Sequence, residues 1–485
     1  MPLTKEVSEH RSAASAILRR SPSFWHKAAA VLLASAALVI PCFWHSRIHA
    51  GDLGSHVYNV WLADQIRAGG LEGLVLVRVW TNFLFDELLS AMVHQAGYAA
   101  GQRMAVALVA LIFFWGAFRF AAALSRAPVW PAAPLLAILT YGWAFHAGFF
   151  NYLLGTGLSL WAATLLLRPT AKRILGGLTL MSLGVAAHAF PVACVGAILA
   201  YVHISRRVTR RTGICLFAAA CACIVLARFL IRSHFVTVWA PIQVFTATGM
   251  DQAWVFDQRY AVLALGLTLV MLYMLLRSGG IGDAAVQLWL LAGAGVALIP
   301  RRISLPSFNH DLTYISDRSS LIAAVLLVAV AAGVKLSRRE SVALGAVAVV
   351  FFGMLYFDTK DFNRVEDGIE AALSGAPRGS RVVLGIRSEG LRIDPLNHMI
   401  DRACIGRCYS YGNYEPSTKQ FQVQAIAPNP FVADNYGDSW AIQFGEYRVR
   451  PREEPIFAVC AGKTGMFVRE LRAGETIPRT ALRRD

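Results

Sequence analysis

The chain has 485 residues, of which 56% are hydrophobic and only 16% are charged. An ordinary soluble protein carries about 25% charged residues, so this chain has too little polar surface to cover several soluble domains. The same composition excludes a disordered chain, which is poor in apolar residues and rich in charge. Neither heptads nor a Gly-X-Y repeat occurs, which excludes a coiled coil and collagen. The composition therefore predicts a polytopic membrane protein.

The formal net charge is +16, and the basic residues form small clusters between long apolar runs. This is the pattern of cytoplasmic loops under the positive-inside rule. A protein that binds nucleic acid concentrates its basic residues in a stripe on one soluble face, and the sequence has no such stripe. We therefore expect membrane lipids among its partners and no nucleic acid.

Eleven apolar stretches are candidate spanning helices, because a hydrocarbon core about 30 Å thick requires about 20 apolar residues per helix. They are residues 28–45, 104–125, 129–146, 150–167, 174–188, 190–205, 213–231, 260–276, 284–299, 319–334 and 341–357. The fifth and sixth could also form one helix with a kink at Pro191. That alternative would put the basic clusters 206–211 and 335–339 outside the cytoplasm. We predict eleven spans with the N-terminus inside and the C-terminus outside.

The first stretch, 28–45, could also be a signal peptide. Its apolar run exceeds the usual length of about 7–15 residues, and the segment that follows Cys42 is a poor cleavage site. We predict a retained anchor in a transmembrane domain of residues 1–357. The long first external loop, 46–102, contains two amphipathic stretches that are predicted to lie along the membrane surface. Their helically spaced residues are Val57, Val60, Trp61 and Asp64, then Phe83, Leu84, Glu87, Leu88 and Met92.

Residues 358–485 are predicted to form a small extracytoplasmic α/β domain. A helix is expected to end before Gly375, because Phe362, Val365, Ile369 and Leu373 fall on one face. Strands are predicted at residues 381–386, 441–444, 456–459 and 466–468. Cys404 and Cys408 could form a disulfide if this part lies outside the cell.

The loop between the ninth and tenth spans has an unusual set of polar residues. They are Arg301, Arg302, His310, Asp311, Tyr314, Asp317 and Arg318. Three arginines on the predicted outer face run against the positive-inside bias, and a guanidinium binds phosphate well. One interpretation is a site for an anionic group, with Arg318 as the first candidate because it opens the tenth span. The alternative is that these charges pair harmlessly with Asp311 and Asp317.

A second polar segment follows the first span, where Asp52, His56 and Asn59 are spaced to share a helical face. The carboxylate could act as a general base on a hydroxyl nucleophile, with His56 orienting a partner or binding substrate. A free Asp is a weak base, so this role needs partial burial or concerted proton transfer. The alternative is that Asp52 is an ordinary helix N-cap. His146, Asn151 and His188 are predicted on the same side of the membrane, where polar groups often mark function.

These residues resemble motifs of the GT-C superfamily of membrane glycosyltransferases, which use polyprenyl-phosphate-linked sugars. The stretch Gly51–Gly69 is similar to the first-loop motif of the bacterial members. Tyr314–Arg318 is similar to the late-loop arginine segment that contacts the donor phosphate, and His188–Pro191 to a His-Pro-like turn.

The resemblance implies an enzyme of the bacterial inner membrane with a multi-helix GT-C-like fold. It would move a hexosyl or pentosyl group, with inversion, from a polyprenyl-phosphate donor to a glycan, lipid or protein acceptor on the extracytoplasmic face. Asp52 would be the base, assisted by His56, and Arg318 would stabilise the departing lipid phosphate. Further substrate-binding candidates are Arg301, Arg302, His310, His188, Asn59 and Tyr314. Many members pair two acids in the first loop, whereas Leu53 and Gly54 follow Asp52, so we predict no metal and no other cofactor.

Three alternatives stay open from the sequence. A lipid-linked polysaccharide ligase or polymerase shares the lipid-phosphate donor but joins oligosaccharides. A transporter predicts inverted repeats and charges near the bilayer midplane, whereas this chain has no repeat and its charges lie at span ends. For a non-enzymatic scaffold, Asp52 and Arg318 would be replaceable without loss.

Overall fold

The computed structural model describes residues 22–305, 310–426, 428–463 and 465–481. The protein is mostly helical, with 64% of the described residues in helices. Thirteen α-helices precede residue 380 in the described part of the chain. They are α1 Pro22–Val39, α2 Leu53–Arg67, α3 Leu84–Ser125, α4 Ala133–Thr140, α5 Trp143–His146, α6 Phe150–Leu166, α7 Ala171–Ala187, α8 Ala189–Ser205, α9 Arg210–His234, α10 Gln258–Leu276, α11 Ala284–Leu298, α12 Ile315–Gly333 and α13 Arg338–Leu373.

The apolar stretches of the sequence fall largely within these helices. Six helical segments of the described chain are long and apolar enough to cross a membrane, namely Trp25–Cys42, Leu84–Ser125, Arg210–His234, Gln258–Leu276, Ile315–Gly333 and Arg338–Leu373. The helices α6, α8 and α11 are also apolar but shorter. The chain is therefore a multi-pass membrane protein.

The fifth and sixth stretches form two helices rather than one. His188 has an extended backbone (φ −166°, ψ 119°) that ends α7 and begins α8. The end of α8 lies near the start of α7. Arg206, directly after α8, donates to the carbonyl oxygen of Leu167, four residues before α7, at 3.1 Å. Close packing at Gly155 allows the turn, since a Cβ there would lie 3.2 Å from the His188 nitrogen. The break is at His188 and not at Pro191, and the two helices are antiparallel.

The third stretch, 129–146, was expected to be one helix and is instead broken. It consists of a 3-10 turn at Trp130–Ala132, then α4 and α5. Between these helices Gly142 is extended (ψ −160°), and a Cβ on it would lie 2.5 Å from the Gln252 carbonyl oxygen. The break redirects the chain so that Gly148, with φ of +87°, lies beneath Asp52.

The first external loop also differs from expectation. The second amphipathic stretch and the second span form one long helix, α3, which is interrupted at Gly97 (φ 76°, ψ 168°). Helix α2 does not lie free along a membrane surface, because the C-terminal part of the chain covers it. The Tyr58 hydroxyl accepts a hydrogen bond from the Ser410 nitrogen at 3.0 Å, and the Trp61 ring packs against Tyr409. Burial of both faces of α2 explains why polar residues such as Asn59 are buried with the apolar ones.

The chain contains short strands as well as helices. They are β1 Leu74–Leu76, β2 Val236–Val238, β3 Arg302–Leu305, β4 His310–Leu312, β5 Arg381–Leu384, β6 Ile386–Arg387, β7 Tyr409–Ser410, β8 Val423–Ala425, β9 Ile456–Gly462, β10 Gly465–Leu471 and β11 Thr480–Ala481. A four-stranded sheet has the order β10-β9-β5-β7, with β5 parallel to both neighbours and β10 antiparallel to β9. Strand β1 of the first loop pairs with β8, so the loop and the C-terminal part share a sheet.

Three short helices accompany these strands, namely α14 Met399–Ala403, α15 Tyr414–Thr418 and α16 Tyr436–Phe444. The predicted strands at 381–386, 456–459 and 466–468 are confirmed, as is the helix end before Gly375. The predicted strand 441–444 is wrong, because it is the end of α16. The Asn435 side chain caps that helix by accepting from the Asp438 nitrogen at 3.0 Å, and Gly445 ends it with φ of +68°. Cys404 and Cys408 form a disulfide between α14 and β7.

Candidate functional site

Asp52 precedes α2 but does not cap it. Its side chain makes no capping hydrogen bond, so the N-cap interpretation does not account for the residue. The backbone is held instead, because the Asp52 nitrogen donates to the carbonyl oxygen of Ala147 at 3.2 Å and Gly51 donates to that of His146 at 2.6 Å. The carboxylate is 25% exposed. Asp52 is therefore a firmly anchored residue with an accessible acid.

Arg318 lies in the first turn of α12 and is half-buried. Its guanidinium carbon is 4.5 Å from the centre of the Phe149 ring and 5.9 Å from that of Tyr152. Nη1 donates to the Thr313 carbonyl oxygen at 3.3 Å, whereas Nε is buried without a hydrogen-bond partner. Among the described residues, no carboxylate lies within 4 Å of this guanidinium. Burying part of a cation without an anion costs free energy, so this geometry fits a residue that meets an anionic ligand.

Asp52 and Arg318 lie near each other. Gly148 packs directly beneath Asp52, since a Cβ on Gly148 would lie 2.9 Å from the Asp52 Cβ. The next residue, Phe149, lies against the Arg318 guanidinium. The Asp52 carboxylate is also one of the charges that act on Arg318 and on Tyr314. The broken third stretch thus brings together two residues that are far apart in the sequence.

Gly148 permits this arrangement, and we expect Gly148→Ala to destabilise the protein. A Cβ at this position would lie 2.3 Å from the Asp52 nitrogen, at a φ of +87° that L side chains rarely adopt. Gly69→Ala is the matched control, because Gly69 also has positive φ (+75°) but has no atom within 4 Å of a Cβ. The control should lose about 1–2 kcal/mol from backbone strain, and Gly148→Ala about 1–3 kcal/mol more from overpacking. Equal unfolding midpoints for the two variants in nanodiscs would contradict this packing.

The other two arginines of the late loop form ion pairs. Arg301 Nε donates to Asp317 Oδ2 at 2.9 Å, and Arg302 pairs with Asp311. These are the acids that the alternative interpretation named, so it describes Arg301 and Arg302 but not Arg318. The Arg301 guanidinium also lies 5.0 Å from the centre of the Tyr314 ring.

Tyr314 lies among aromatic rings near Arg318. Its ring centre is 5.9 Å from that of Trp143 and 5.4 Å from that of Phe149, and its backbone is left-handed with φ of 55°. His188 lies on the other side of Arg318, with its ring 5.6 Å from that of Tyr152. The backbone of His310 lies in β4, and its side chain is outside the described part of the structure.

His56 and Asn59 face a polar network between α2, α3 and the C-terminal part. His56 Nδ1 lies 2.6 Å from Asp86 Oδ1 and 3.8 Å from Glu415 Oε1. Burial lowers the pKa of His56, but the two carboxylates raise it, and the resulting pKa is about 9. Asn59 Oδ1 accepts from Asn413 Nδ2 at 2.9 Å. A histidine that stays charged at neutral pH suits orientation of its neighbours better than proton abstraction.

Asn151 joins the same network. Its Nδ2 donates to Asp86 Oδ2 at 3.0 Å and its Oδ1 accepts from the Phe85 nitrogen at 2.8 Å. His146 lies deeper, where its Nδ1 contacts the His49 carbonyl oxygen at 2.9 Å. Both residues are buried and hydrogen-bonded within the described chain.

Sequence reasoning missed Arg392, which comes from the C-terminal part. Its Nη2 lies 2.9 Å from Asp251 Oδ2 and 3.9 Å from Asp317 Oδ1. Its guanidinium lies between the Trp143 and Trp254 rings, at 5.3 and 5.2 Å. Burial raises the pKa of Asp251 to about 6, against the opposing charge of Arg392. No local pattern around Arg392 could have found it.

His398, also missed, lies beside the predicted base. His398 Nε2 is 3.6 Å from Asp52 Oδ1, and Nδ1 is 2.8 Å from Asp401 Oδ2. The Tyr414 ring is 5.4 Å from the imidazole. The spacing of His398 and Asp401 by three residues was a weak signal for a paired imidazole.

Within the described residues, no group of three or more His, Cys, Asp or Glu side chains is arranged to hold a metal ion. The expectation that the protein uses no metal stays a prediction.

The chain has a membrane-protein fold that fits the GT-C fold predicted from the sequence. It matches the solved structure of ArnT from Cupriavidus metallidurans bound to undecaprenyl phosphate. The TM-score is 0.50 and the sequence identity is 12%, over 92% of this chain and 94% of that chain. At this identity the likeness establishes the fold alone. No protein-family profile and no curated protein matches the chain.

Proposed function

We propose that this protein is an integral-membrane glycosyltransferase that takes its sugar from a polyprenyl-phosphate donor. The observation that carries the proposal is the half-buried Arg318, which has a buried, unpaired Nε and no carboxylate partner among the described residues and lies near the accessible Asp52. The fold adds support, because the ArnT structure that it resembles holds undecaprenyl phosphate.

The chemistry is an inverting displacement. Asp52 takes the proton of the acceptor hydroxyl while that oxygen attacks the anomeric carbon. The bond between the anomeric carbon and the phosphate oxygen breaks, and its electron pair leaves with the lipid phosphate. Arg318 stabilises the charge that develops there, which a fixed cation does best in a site that excludes water. The donor phosphate supplies the anion that Arg318 lacks within the described chain. The charge of Arg318 is therefore neutralised only when donor is bound.

The remaining candidates have supporting roles in this proposal. Tyr314 and His188 flank Arg318 and line the space for the donor's phosphate and sugar. Arg301 adds positive charge, although its pair with Asp317 reduces its share. Arg302 and His310, which begin β3 and β4, are proposed to bind substrate. His56 and Asn59 hold α2, and with it Asp52, against the C-terminal part.

The proposed topology has eleven spans, a cytoplasmic N-terminus and an external C-terminal part in a bacterial inner membrane. Arg126, Arg168 and Arg206 lie near one another, at the end of the helices opposite Asp52, which fits a cytoplasmic face under the positive-inside rule. The disulfide between Cys404 and Cys408 fits an oxidising, external location for the other end. In the proposed organisation, residues 1–357 form the transmembrane domain and residues 358–485 the external domain.

The test is release of the lipid carrier from a panel of undecaprenyl-phosphate sugars, followed by mass spectrometry in nanodiscs. We expect wild type to release undecaprenyl phosphate from one donor, with water as a slow acceptor. Arg318→Ala should lower the rate by about 10²- to 10³-fold, since it removes a group that stabilises developing charge.

The matched control is Arg364→Ala, because Arg364 is 68% exposed and pairs only with Asp361 within the described chain. It removes the same charge and should leave the rate unchanged. Free undecaprenyl phosphate should also raise the melting temperature of wild type but not of Arg318→Ala. Equal rates for wild type and Arg318→Ala, or no stabilisation by the lipid phosphate, would contradict the proposal.

A further inference from the structure

A chain of buried polar groups leads from the C-terminal part to the Asp52 carboxylate. The Ser410 hydroxyl donates to Asp401 Oδ1, Asp401 Oδ2 lies 2.8 Å from His398 Nδ1, and His398 Nε2 lies 3.6 Å from Asp52 Oδ1. The His398 side chain is 6% exposed and that of Asp401 is 2% exposed. The imidazole is thus held from behind and faces Asp52 with its second nitrogen.

The backbone brings this imidazole close to α2. A Cβ on Gly54 would lie 2.0 Å from the His398 carbonyl oxygen and 2.8 Å from its carbonyl carbon. Only a glycine hydrogen fits there, so any side chain at position 54 would push His398 away from Asp52, two residues earlier. The bond from the Ser410 nitrogen to the Tyr58 hydroxyl fixes the same approach one turn further along. Two contacts therefore set the distance between imidazole and carboxylate.

The Asp52 carboxylate has few other partners. It makes no capping bond, and in the described part of the chain His398 is the group that pairs with it. A carboxylate held through one oxygen presents the other to substrate. The separation of 3.6 Å is longer than a hydrogen bond, but catalytic hydrogen bonds are often long in the absence of substrate and tighten when it binds.

We propose that His398 is a positioning residue that holds Oδ1 of Asp52 through its Nε2–H and leaves Oδ2 to receive the acceptor's proton. This rests on the proposed function. It gives the C-terminal part of the chain a role in positioning the proposed base. No proton passes through His398 in this arrangement, because the proton taken from the acceptor stays on Asp52 until product leaves.

The charges around His398 favour its protonated form. Asp401 lies on the same helix, Asp52 on the start of α2 and Glu415 on α15, and the neutral Tyr414 ring packs beside the imidazole. Burial lowers the pKa of His398, but these carboxylates raise it above its ordinary value. The imidazolium then donates from Nδ1 to Asp401 and from Nε2 to Asp52. Above its pKa the imidazole keeps the Nδ1–H and loses the one that holds Asp52.

The first experiment tests the pair without turnover. The protein is labelled with ¹³C-histidine, and the His398 resonance, assigned by its absence in His398→Gln, is followed against pH in nanodiscs. In Asp52→Asn its midpoint should fall by about 1 pH unit, because an adjacent negative charge is lost. His94, which pairs with Asp64, is the internal control and should not move. An unchanged His398 midpoint in Asp52→Asn overturns the proposal.

The second experiment is the pH profile of donor turnover. Wild type should lose activity as pH rises through the pKa of His398. His398→Gln keeps an N–H donor that does not titrate, so this alkaline loss should disappear. His398→Leu removes the donor and should lower kcat by about 10²-fold, with the KM for donor unchanged.

If His398→Leu has the kcat of wild type and the same loss of activity at alkaline pH, the positioning role is overturned. This conclusion holds even if Asp52→Asn is inactive and the proposed function is correct. No turnover by wild type with any donor would instead contradict the proposed function, while the NMR titration still decides whether the pair exists.

Discussion

Asp52→Asn should lower kcat for donor turnover by about 10³- to 10⁴-fold, the upper part of the range for a general base. The substitution conserves size and shape but removes the ability to accept a proton. The backbone contacts stay, because the Asp52 nitrogen bonds to the Ala147 carbonyl oxygen and its carbonyl oxygen accepts from His56. The Arg318 guanidinium is untouched, so the KM for the donor should change little. Loss in kcat alone would mark an interaction made in the transition state.

Asp64→Asn is the matched control for this prediction. Asp64 lies on α2, which Asp52 precedes, and its carboxylate pairs with Arg67 and His94 at the surface. Asp64→Asn removes the same charge from a surface ion pair, so the rate of this variant should equal that of wild type. Both variants should gain the same thermal stabilisation from undecaprenyl phosphate. A kcat for Asp52→Asn within threefold of wild type would reject Asp52 as the base, whatever the state of Arg318.

The helical part of this fold was predictable because the signal for a spanning helix is local. A run of apolar residues must satisfy its own backbone hydrogen bonds in lipid, and every stretch of this kind in the sequence lies in a helical region of the structure. The break within residues 129–146 was not predictable, because Gly142 is required by its contact with Gln252, more than a hundred residues away. The strand predicted at 441–444 was wrong for a local reason and not a long-range one. Its apolar residues were read without the capping signals of Asn435 and Gly445 on either side.

The candidate site was predictable residue by residue but not as a geometry. Arg318 was found because it is a cation where the positive-inside rule disfavours one, and Asp52 because it shares a predicted helical face with His56 and Asn59. Their proximity depends on Gly148 and Phe149, which no motif distinguishes. The charge argument selected Arg302 as well, because residue type and position cannot tell a paired arginine from an unpaired one.

His398 and Arg392 show a second limit of local reasoning. Each acts on a residue of the transmembrane part from a distant point in the chain, His398 on Asp52 and Arg392 on Asp251. Long-range contacts of this kind leave no spacing pattern in a single sequence. The C-terminal part was predicted only as a small α/β domain, and its contacts with Asp52 and Asp251 became visible only in the structure.

The largest expected effect on stability concerns the pair that joins α14 to α13. Arg402 donates twice to Glu366, at 2.7 and 2.6 Å, and also to Gln102 Oε1 at 2.9 Å. The Glu366 side chain is fully buried and that of Arg402 is 8% exposed. Arg402→Met leaves a buried carboxylate without its main partner, and we expect a loss of about 3–5 kcal/mol in the free energy of unfolding. The measurement is the denaturation midpoint in nanodiscs.

The expected loss of stability comes from the uncompensated charge of Glu366 and not from the loss of favourable hydrogen bonds. Arg47 remains 3.6 Å from Glu366 in the variant, which is too far to replace two direct hydrogen bonds. The double variant Arg402→Met with Glu366→Gln removes the charge as well, so it should be more stable than Arg402→Met alone. Arg364→Ala, which breaks an exposed pair with Asp361, should cost no more than about 1 kcal/mol. A double variant less stable than Arg402→Met would show that the hydrogen bonds of the pair matter more than the uncompensated charge of Glu366. Helix α14 would then depend on these bonds to hold His398 beside Asp52.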